Sequence, residues 1–368
     1  MRPALHRLWL RLHRWVGLSL GAVLALTALT GASLIALRPL DQWLHPALFA
    51  ASLPGAAPAS LDSVRGVLTS RYGTGSSFTL RPPREAGDTL WVYVRGSWDG
   101  TAYVDPATAR ILGQRGEREG LPNLLFEFHS SLLLGDPGRP VMAVLALTYL
   151  FLLVTGLALW WPRNWARAWT LHLKGGATRS LFDLHRTGGS LLGLLVAVSI
   201  FSGVYMAWKP LSGFVTMVAG DTTTQPPEIT PVQGARAPLD AMALRAQALF
   251  PDARIGYVQL SPQPTRPVRF RLKLPDDPHP NGLTSVWLHP VTGQVTAVHR
   301  WDELDAGAHA TSYLYPLHTG ALGGIWHEAL NAAVGLALFG LAGTGAWLWW
   351  RRRCPGRLPT GLSGLTRD

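Results

Sequence analysis

The sequence predicts a membrane α-helical bundle of four transmembrane helices carrying two extracytoplasmic α+β lobes, made by internal duplication of one unit. Three observations predict it. Of 368 residues, 48% are hydrophobic and only 15% are charged, too apolar a balance for a soluble chain of this length. Uncharged apolar runs of about 20 residues or more, enough to cross a hydrocarbon core, stand at Val16–Leu37, Val141–Trp161, Gly188–Trp208 and Ala329–Trp350. Residues around the first two runs recur, at constant separation, around the last two.

The elements follow in order. Residues 1–37 are a basic arm and the first helix, whose apolar run is too long for a signal-peptide core and ends in Leu-Arg-Pro, so it is read as a retained helix. Residues 38–140 form the first lobe, 141–161 the second helix, 162–187 a short basic loop and 188–208 the third helix. Residues 209–326 form the second lobe, 327–350 the fourth helix and 351–368 a tail. Arg2, Arg7, Arg11 and Arg14, then Arg163, Arg167, Lys174, Arg179 and Arg186, then Arg351–Arg353, flank the runs on one side. The positive-inside rule places these segments, and both termini, in the cytoplasm, and the two long segments outside a bacterial inner membrane. Trp160, Trp161, Trp349 and Trp350 read as an interfacial belt. The formal charge of +11 belongs to these membrane flanks, so the partner implied is the lipid bilayer and not nucleic acid.

Each lobe has the same coarse order: an amphipathic helix at Leu61–Tyr72 or Leu239–Phe250, strands such as Leu90–Val94 and Val268–Leu274, then a turn at Asp105-Pro106-Ala107-Thr108 or His289-Pro290-Val291-Thr292. A Pro-rich linker, Gln225–Pro238, leads into the second lobe. Leu12-His13-Arg14, Gly17, Gly21 and Gly31 recur as Leu184-His185-Arg186, Gly189, Gly193 and Gly203. His129, Gly135, Thr155, Gly156, Trp160 and Trp161 recur as His318, Gly324, Thr344, Gly345, Trp349 and Trp350.

Four histidines therefore keep their places: His13 and His185 at the inner starts of helices one and three, and His129 and His318 just outside helices two and four. Two imidazoles at one depth, from different helices, can take the two axial positions of a haem iron. His13, Gly17 and Gly21 share a helical stripe, as do His185, Gly189 and Gly193, leaving room for a flat macrocycle; the competing reading is a small-residue face for helix packing. Arg14 and Arg186 are candidate partners for propionates, or else solvated anchors. His327 is the main alternative to His318, His172 is a possible inner substitute, and His45 and His309 are possible outer ones. His6, His279, His289 and His299 read as surface residues. The single cysteine, Cys354, excludes intrachain disulfides, zinc or iron–sulfur cysteine sets and covalent c-type haem.

The Leu-His-Arg starts of helices one and three, Phe128-His129-Ser-Ser-Leu-Leu-Leu-Gly135, Leu317-His318-Thr-Gly-Ala-Leu-Gly-Gly324 and the Thr-Gly-x-x-x-Trp-Trp endings at Thr155–Trp161 and Thr344–Trp350 together carry a resemblance. From Leu12 to Arg353 the chain resembles the proteins with PepSY domains and associated transmembrane helices, among them bacterial inner-membrane reductases of iron–siderophore complexes. The resemblance implies PepSY-like lobes outside and b-type haem, one or two, held by His13 with His185 and His129 with His318. It departs most in the second lobe, where His289 stands in place of Asp105.

The expected activity is a membrane-bound ferric reductase. A cytoplasmic or quinol donor feeds the inner histidine pair, and the outer pair serves an acceptor under the lobes. For a ferric siderophore, reduction releases iron because Fe(II) binds hard oxygen ligands poorly. No Gly-x-Gly-x-x-Gly fingerprint and no cytoplasmic domain large enough for flavin and nicotinamide occur, so the donor is a separate molecule. The rival expectations are a non-enzymatic PepSY sensor or binding module and an iron or chelate transporter. Against the transporter stands the absence of a buried acid or a broken helix in the four spans.

Overall fold

The computed structural model describes residues 3–174 and 176–353; Arg2, Cys354 and the tail beyond it lie outside the described residues. Helix α1 (Pro3–Leu44) runs 42 residues, about 63 Å at 1.5 Å per residue, and so extends well past the apolar run at both ends. After a single turn, α2 (Pro46–Phe49), comes α3 (Leu61–Tyr72), then strands β1 (Ser77–Arg81), β2 (Leu90–Arg95), β3 (Gly100–Val104) and β4 (Ile111–Gly116). Next are α4 (Leu121–Ser131), α5 (Gly138–Trp160), the short α6 (Trp165–Ala168), α7 (Ala177–Leu191), α8 (Gly193–Ala207) and α9 (Pro210–Val218). The second half continues with α10 (Leu239–Leu249), β5 (Arg254–Leu260), β6 (Val268–Lys273), β7 (Thr284–Leu288), β8 (Val295–His299), α11 (Ala306–Thr319) and α12 (Gly324–Arg353).

Among the described residues α1, α5 and α12 are each long and apolar enough to cross a bilayer; a fourth span exists only if α7 and α8 are counted together. Those two meet at an angle of 62° at Leu192, which corrects the expectation of four unbroken spans. The break falls among Gly188, Gly189 and Gly193, which lack packing side chains. Just before it, the Ser190 hydroxyl donates back to the carbonyls of Arg186 and Thr187, at 3.0 Å each, a contact that bends helices. Asp183 on α7, five residues before the apolar run at Gly188, is fully buried.

The bundle packs α1 along α12 and α5 along α8, with α4 against α1 and α11 against α8. Gly335 lets α12 close on α1: a Cβ there would stand 2.9 Å from both the Ala28 carbonyl oxygen and Ala32 Cβ. Large apolar side chains such as Leu26, Val144, Leu194, Phe201 and Phe339 point outward, the arrangement of helices solvated by lipid.

The two expected lobes are one body. Their strands join in a single antiparallel sheet of order β4-β3-β2-β1-β5-β6-β7-β8, closed at the seam by pairing Phe78 with Leu260, Thr79 with Gln259 and Leu80 with Val258. One face carries the core, in which Leu80, Val92, Phe270 and Leu272 pack under α3 and α10. The two covering helices cap each other. Asp62 accepts from the amides of Leu239 (3.0 Å) and Asp240 (3.3 Å), while Asp240 accepts from those of Leu61 (2.9 Å) and Asp62 (3.1 Å). Neither lobe alone satisfies the first turn of its helix.

Two histidines read as surface residues are interior, His279 at 5% and His289 at 8% exposure. His289 takes over a turn-closing role: its Nδ1 accepts from the amides of Val291 and Thr292, as Asp105 accepts from those of Ala107 and Thr108. A chain turn needs an acceptor there, and either side chain provides one.

Candidate functional site

The four histidines meet in two pairs, each taking one residue from each half of the chain. His13 on α1 and His185 on α7 have ring centres 6.3 Å apart with planes at 85°; His129 on α4 and His318 on α11 lie 6.2 Å apart at 37°. With a metal–imidazole bond of about 2.0 Å and a nitrogen about 1.2 Å from its ring centre, one iron between two imidazoles sets the centres about 6.4 Å apart. Both pairs have that spacing.

The hydrogen bonds select the tautomer. Thr155 Oγ1 gives its proton to the Leu152 carbonyl (3.0 Å), so its oxygen can only accept from His13 Nδ1 at 2.8 Å. Thr344 likewise donates to Gly340 and Leu341 and accepts from His185 Nδ1 at 3.0 Å. His129 Nδ1 faces the Thr27 carbonyl at 2.9 Å and His318 Nδ1 the Ser199 carbonyl at 3.0 Å, acceptors that demand an N–H. All four rings therefore keep the lone pair on Nε2, the state of a metal-ligating imidazole with its other nitrogen anchored.

Each ring lies on a glycine. A Cβ on Gly31 would stand 2.5 Å from His129 Cε1, on Gly203 3.0 Å from His318 Cε1, and on Gly156 and Gly345 3.3 Å from Cε1 of His13 and His185. These four, with Thr155 and Thr344, were visible as repeated positions but had no assigned role. Of the glycines that share a stripe with a histidine, a Cβ on Gly17 would meet Leu152 at 3.9 Å, on Gly189 Leu341 at 3.8 Å and on Gly193 Leu153 at 3.3 Å, while Gly21 has nothing within 4 Å.

Arg186 lies 3.5 Å from the buried Asp183 and donates to the Thr170 carbonyl (3.2 Å), and His172 and Arg179 close on the same carboxylate. Arg14 is half-buried, with no carboxylate within 4 Å among the described residues. His327 packs on Gly323, His309 on Trp301 and Tyr313, and His45 on Asp41, so none of the alternatives joins a pair.

Between His13 and the Thr27–Gly31 stretch that receives His129, α1 rises about 21–27 Å, against a hydrocarbon thickness of about 30 Å. The pairs thus stand toward opposite ends of the bundle. Among the described residues no three His, Cys, Asp or Glu side chains gather as a protein-only metal site. Paired imidazoles suit an iron whose remaining ligands come from a macrocycle.

The description "PepSY-associated TM region" matches residues 10–352, nearly the whole chain. The chain belongs to the PepSY-associated transmembrane family. It is accordingly a membrane protein, and its apolar helices contact the bilayer directly. No curated protein matches the sequence.

Proposed function

We propose that this PepSY-associated protein is a haem b-containing reductase of the bacterial inner membrane, carrying electrons to a ferric siderophore on the outer side and so releasing Fe(II). The observation that carries the reading is the pair of histidine couples with ring centres 6.3 and 6.2 Å apart, every Nδ1 anchored. His13 with His185, and His129 with His318, would hold the two irons; bound iron porphyrin supplies reversible one-electron chemistry. The chain's own contribution is to fix ring orientation through Thr155, Thr344 and the Thr27 and Ser199 carbonyls, to exclude water with the apolar bundle, and to set the two sites about 21–27 Å apart along α1. The short Arg-rich segments support cytoplasmic termini with the sheet outside, and a quinol or soluble cytoplasmic reductant is the donor. The paired halves, each with one helix, four strands and corresponding histidines, support an origin by duplication.

Reduced-minus-oxidised visible spectra of wild type and of His13→Ala, His185→Ala, His129→Ala and His318→Ala test it. Either member of a pair, once removed, should cost one haem's signal and leave the other haem's intact. Four unchanged spectra, or no Soret absorbance in haem-supplemented wild type, would leave the sensor or binding-module reading standing.

The break at Leu192 favours a second reading, a transporter, since discontinuous spans line many transport pathways. Uptake of iron chelate into vesicles without any reductant would establish that reading and reject the reductase.

A further inference from the structure

The sheet face opposite the core has an unusual composition. The eight strands carry seven arginines and lysines and no aspartate or glutamate. Strand register sorts them into rows across the sheet. Trp91, Arg81, Tyr257 and Arg271 follow one another on neighbouring strands at the centre, where Trp91 opposes Arg81 and Tyr257 opposes Arg271. The next row runs from Tyr93 through Thr79 and Gln259 to Arg269.

This face looks toward the outer histidine pair. Arg38, near the end of α1, sets its guanidinium 5.2 Å from the centre of the Trp91 ring, and Arg81 stands 4.6 Å from the same ring. Tyr315, one helical turn before His318 on α11, stacks on His279 of the β6–β7 loop at 4.6 Å. Tyr93 and Tyr257 lie 6.4 Å apart, with Arg271 5.4 Å from the Tyr257 ring. A cleft of about 410 Å³ opens on the same face over Thr79, Gln259, Arg269 and Trp287.

Arg95 pairs with Glu117 and Arg115 with Asp41, but the positive charge around Trp91 and Tyr257 is not neutralised. The guanidiniums of Arg38, Arg81, Arg84, Arg269 and Arg271 have no carboxylate within 4 Å among the described residues. The nearest buried acid, Asp277, spends its oxygens on the amides of His279 (2.8 Å) and Leu283 (2.6 Å). Burial, with Arg271, Lys273 and Arg84 close by, pulls His279 down to about 3, so it adds no charge at neutral pH. Several half-buried guanidiniums facing one space repel one another unless an anion enters it, and the interleaved rings offer stacking surfaces to a planar aryl group.

We infer that this arginine and aromatic face is the acceptor's binding site and that it selects a polyanionic, aryl-bearing iron chelate of the catecholate type over an uncharged hydroxamate. The inference rests on the reductase reading for the acceptor being an iron chelate, but the site itself is defined by the sheet and by charge. Arg81 and Arg38 are the primary anion contacts: among the described residues neither guanidinium has a carboxylate or a hydrogen-bond acceptor, whereas Arg84 donates to the Pro280 carbonyl, Arg269 to Ser285 and Arg271 to the Gly282 carbonyl.

Equilibrium dialysis of the full chain in detergent, with a triply anionic ferric tris(catecholate) and an uncharged ferric tris(hydroxamate) labelled with radioactive iron, tests it. The catecholate complex should bind at least about tenfold more tightly, and added salt should weaken it. Arg38→Gln with Arg81→Gln should cost about tenfold or more for the anion and leave the neutral complex unmoved; Arg81→Glu should cost more still. Equal or better binding of the neutral complex, or an unmoved double variant, overturns the inference. Visible spectra on the same preparations separate the two readings: anion selectivity without haem defeats only the reductase, and haem without anion selectivity defeats only this inference.

Discussion

A threonine hydroxyl or a backbone carbonyl, with a glycine hydrogen in place of a methyl, holds each paired histidine: hydroxyls for His13 and His185, carbonyls for His129 and His318. Thr155→Val keeps the volume and removes the acceptor of His13 Nδ1, freeing the ring to rotate and its tautomer to change. If the two pairs hold haem as proposed, affinity at the inner pair should fall about 10- to 100-fold in a haem titration while the outer signal holds; an inner affinity equal to wild type's would discount the anchoring role. The glycine cradles make an independent test. Gly31→Ala places a methyl carbon 2.5 Å from His129 Cε1, so the outer signal should be lost or shifted in the difference spectrum, whereas Gly21→Ala, with nothing within 4 Å, should leave both signals as they are. Identical spectra for the two alanine variants would show that His129 does not depend on this contact.

At the scale of the element, helix ends and strand turns in the extramembrane body lean on buried carboxylates. Burial works to raise Asp62, but the amides of Leu239 and Asp240 and the Arg65 charge outweigh it and hold the carboxyl below its usual range. Asp105 behaves alike: burial opposes ionisation, and the hydroxyl and amide of Ser52 with the amide and hydroxyl of Thr108 overcome it. A carboxyl whose folded pKa is depressed contributes stability that is fully present above its unfolded value, about 3.9, and disappears as pH falls from there through the folded value. Followed by circular dichroism, the sheet body should melt at constant temperature above about pH 7, lose stability below about pH 6.5, where the unfolded chain's His279 takes up a proton that the buried ring refuses until about 3, and fall more steeply below about pH 4 as these carboxyls protonate. Asp62→Ala, which uncaps α10, should cost about 1 kcal/mol or more at neutral pH and flatten that acid limb. An acid limb as steep as wild type's would place the titration elsewhere.

Across the whole molecule, every shared feature is built from both halves. Each histidine pair takes one ring from each, the sheet is sealed by β1 against β5, and the caps of α3 and α10 are exchanged. This explains why the alanine series is expected to fall into two classes and not four: His13→Ala and His185→Ala empty the same site from opposite sides. The sheet's arginine face lies over the outer pair because the strands and α11 meet at the β6–β7 loop, where Tyr315 stacks on His279.

Hydropathy and spacing alone determine much of this protein. Apolar length marks the membrane segments, basic flanks suggest their orientation, and constant separation singles out His13, His129, His185 and His318 together with the glycines and threonines that later prove to hold them. Those signals are one-dimensional, and a helix in lipid must satisfy its backbone within itself, so local sequence suffices to find it. What only the tertiary structure decides lies between segments distant in the chain. The pairing of rings at 6.3 and 6.2 Å, the tautomer set by Thr155 and Thr344, the fusion of two lobes into one sheet and the gathering of Arg38, Arg81 and Arg271 all depend on contacts across the halves. The bend at Leu192 was hidden for a related reason, since glycines and a serine permit a straight helix as readily as a broken one until packing chooses. His289 passed for a surface residue because its polarity is local, while its burial and the turn amides it accepts arise only once the strands close around it.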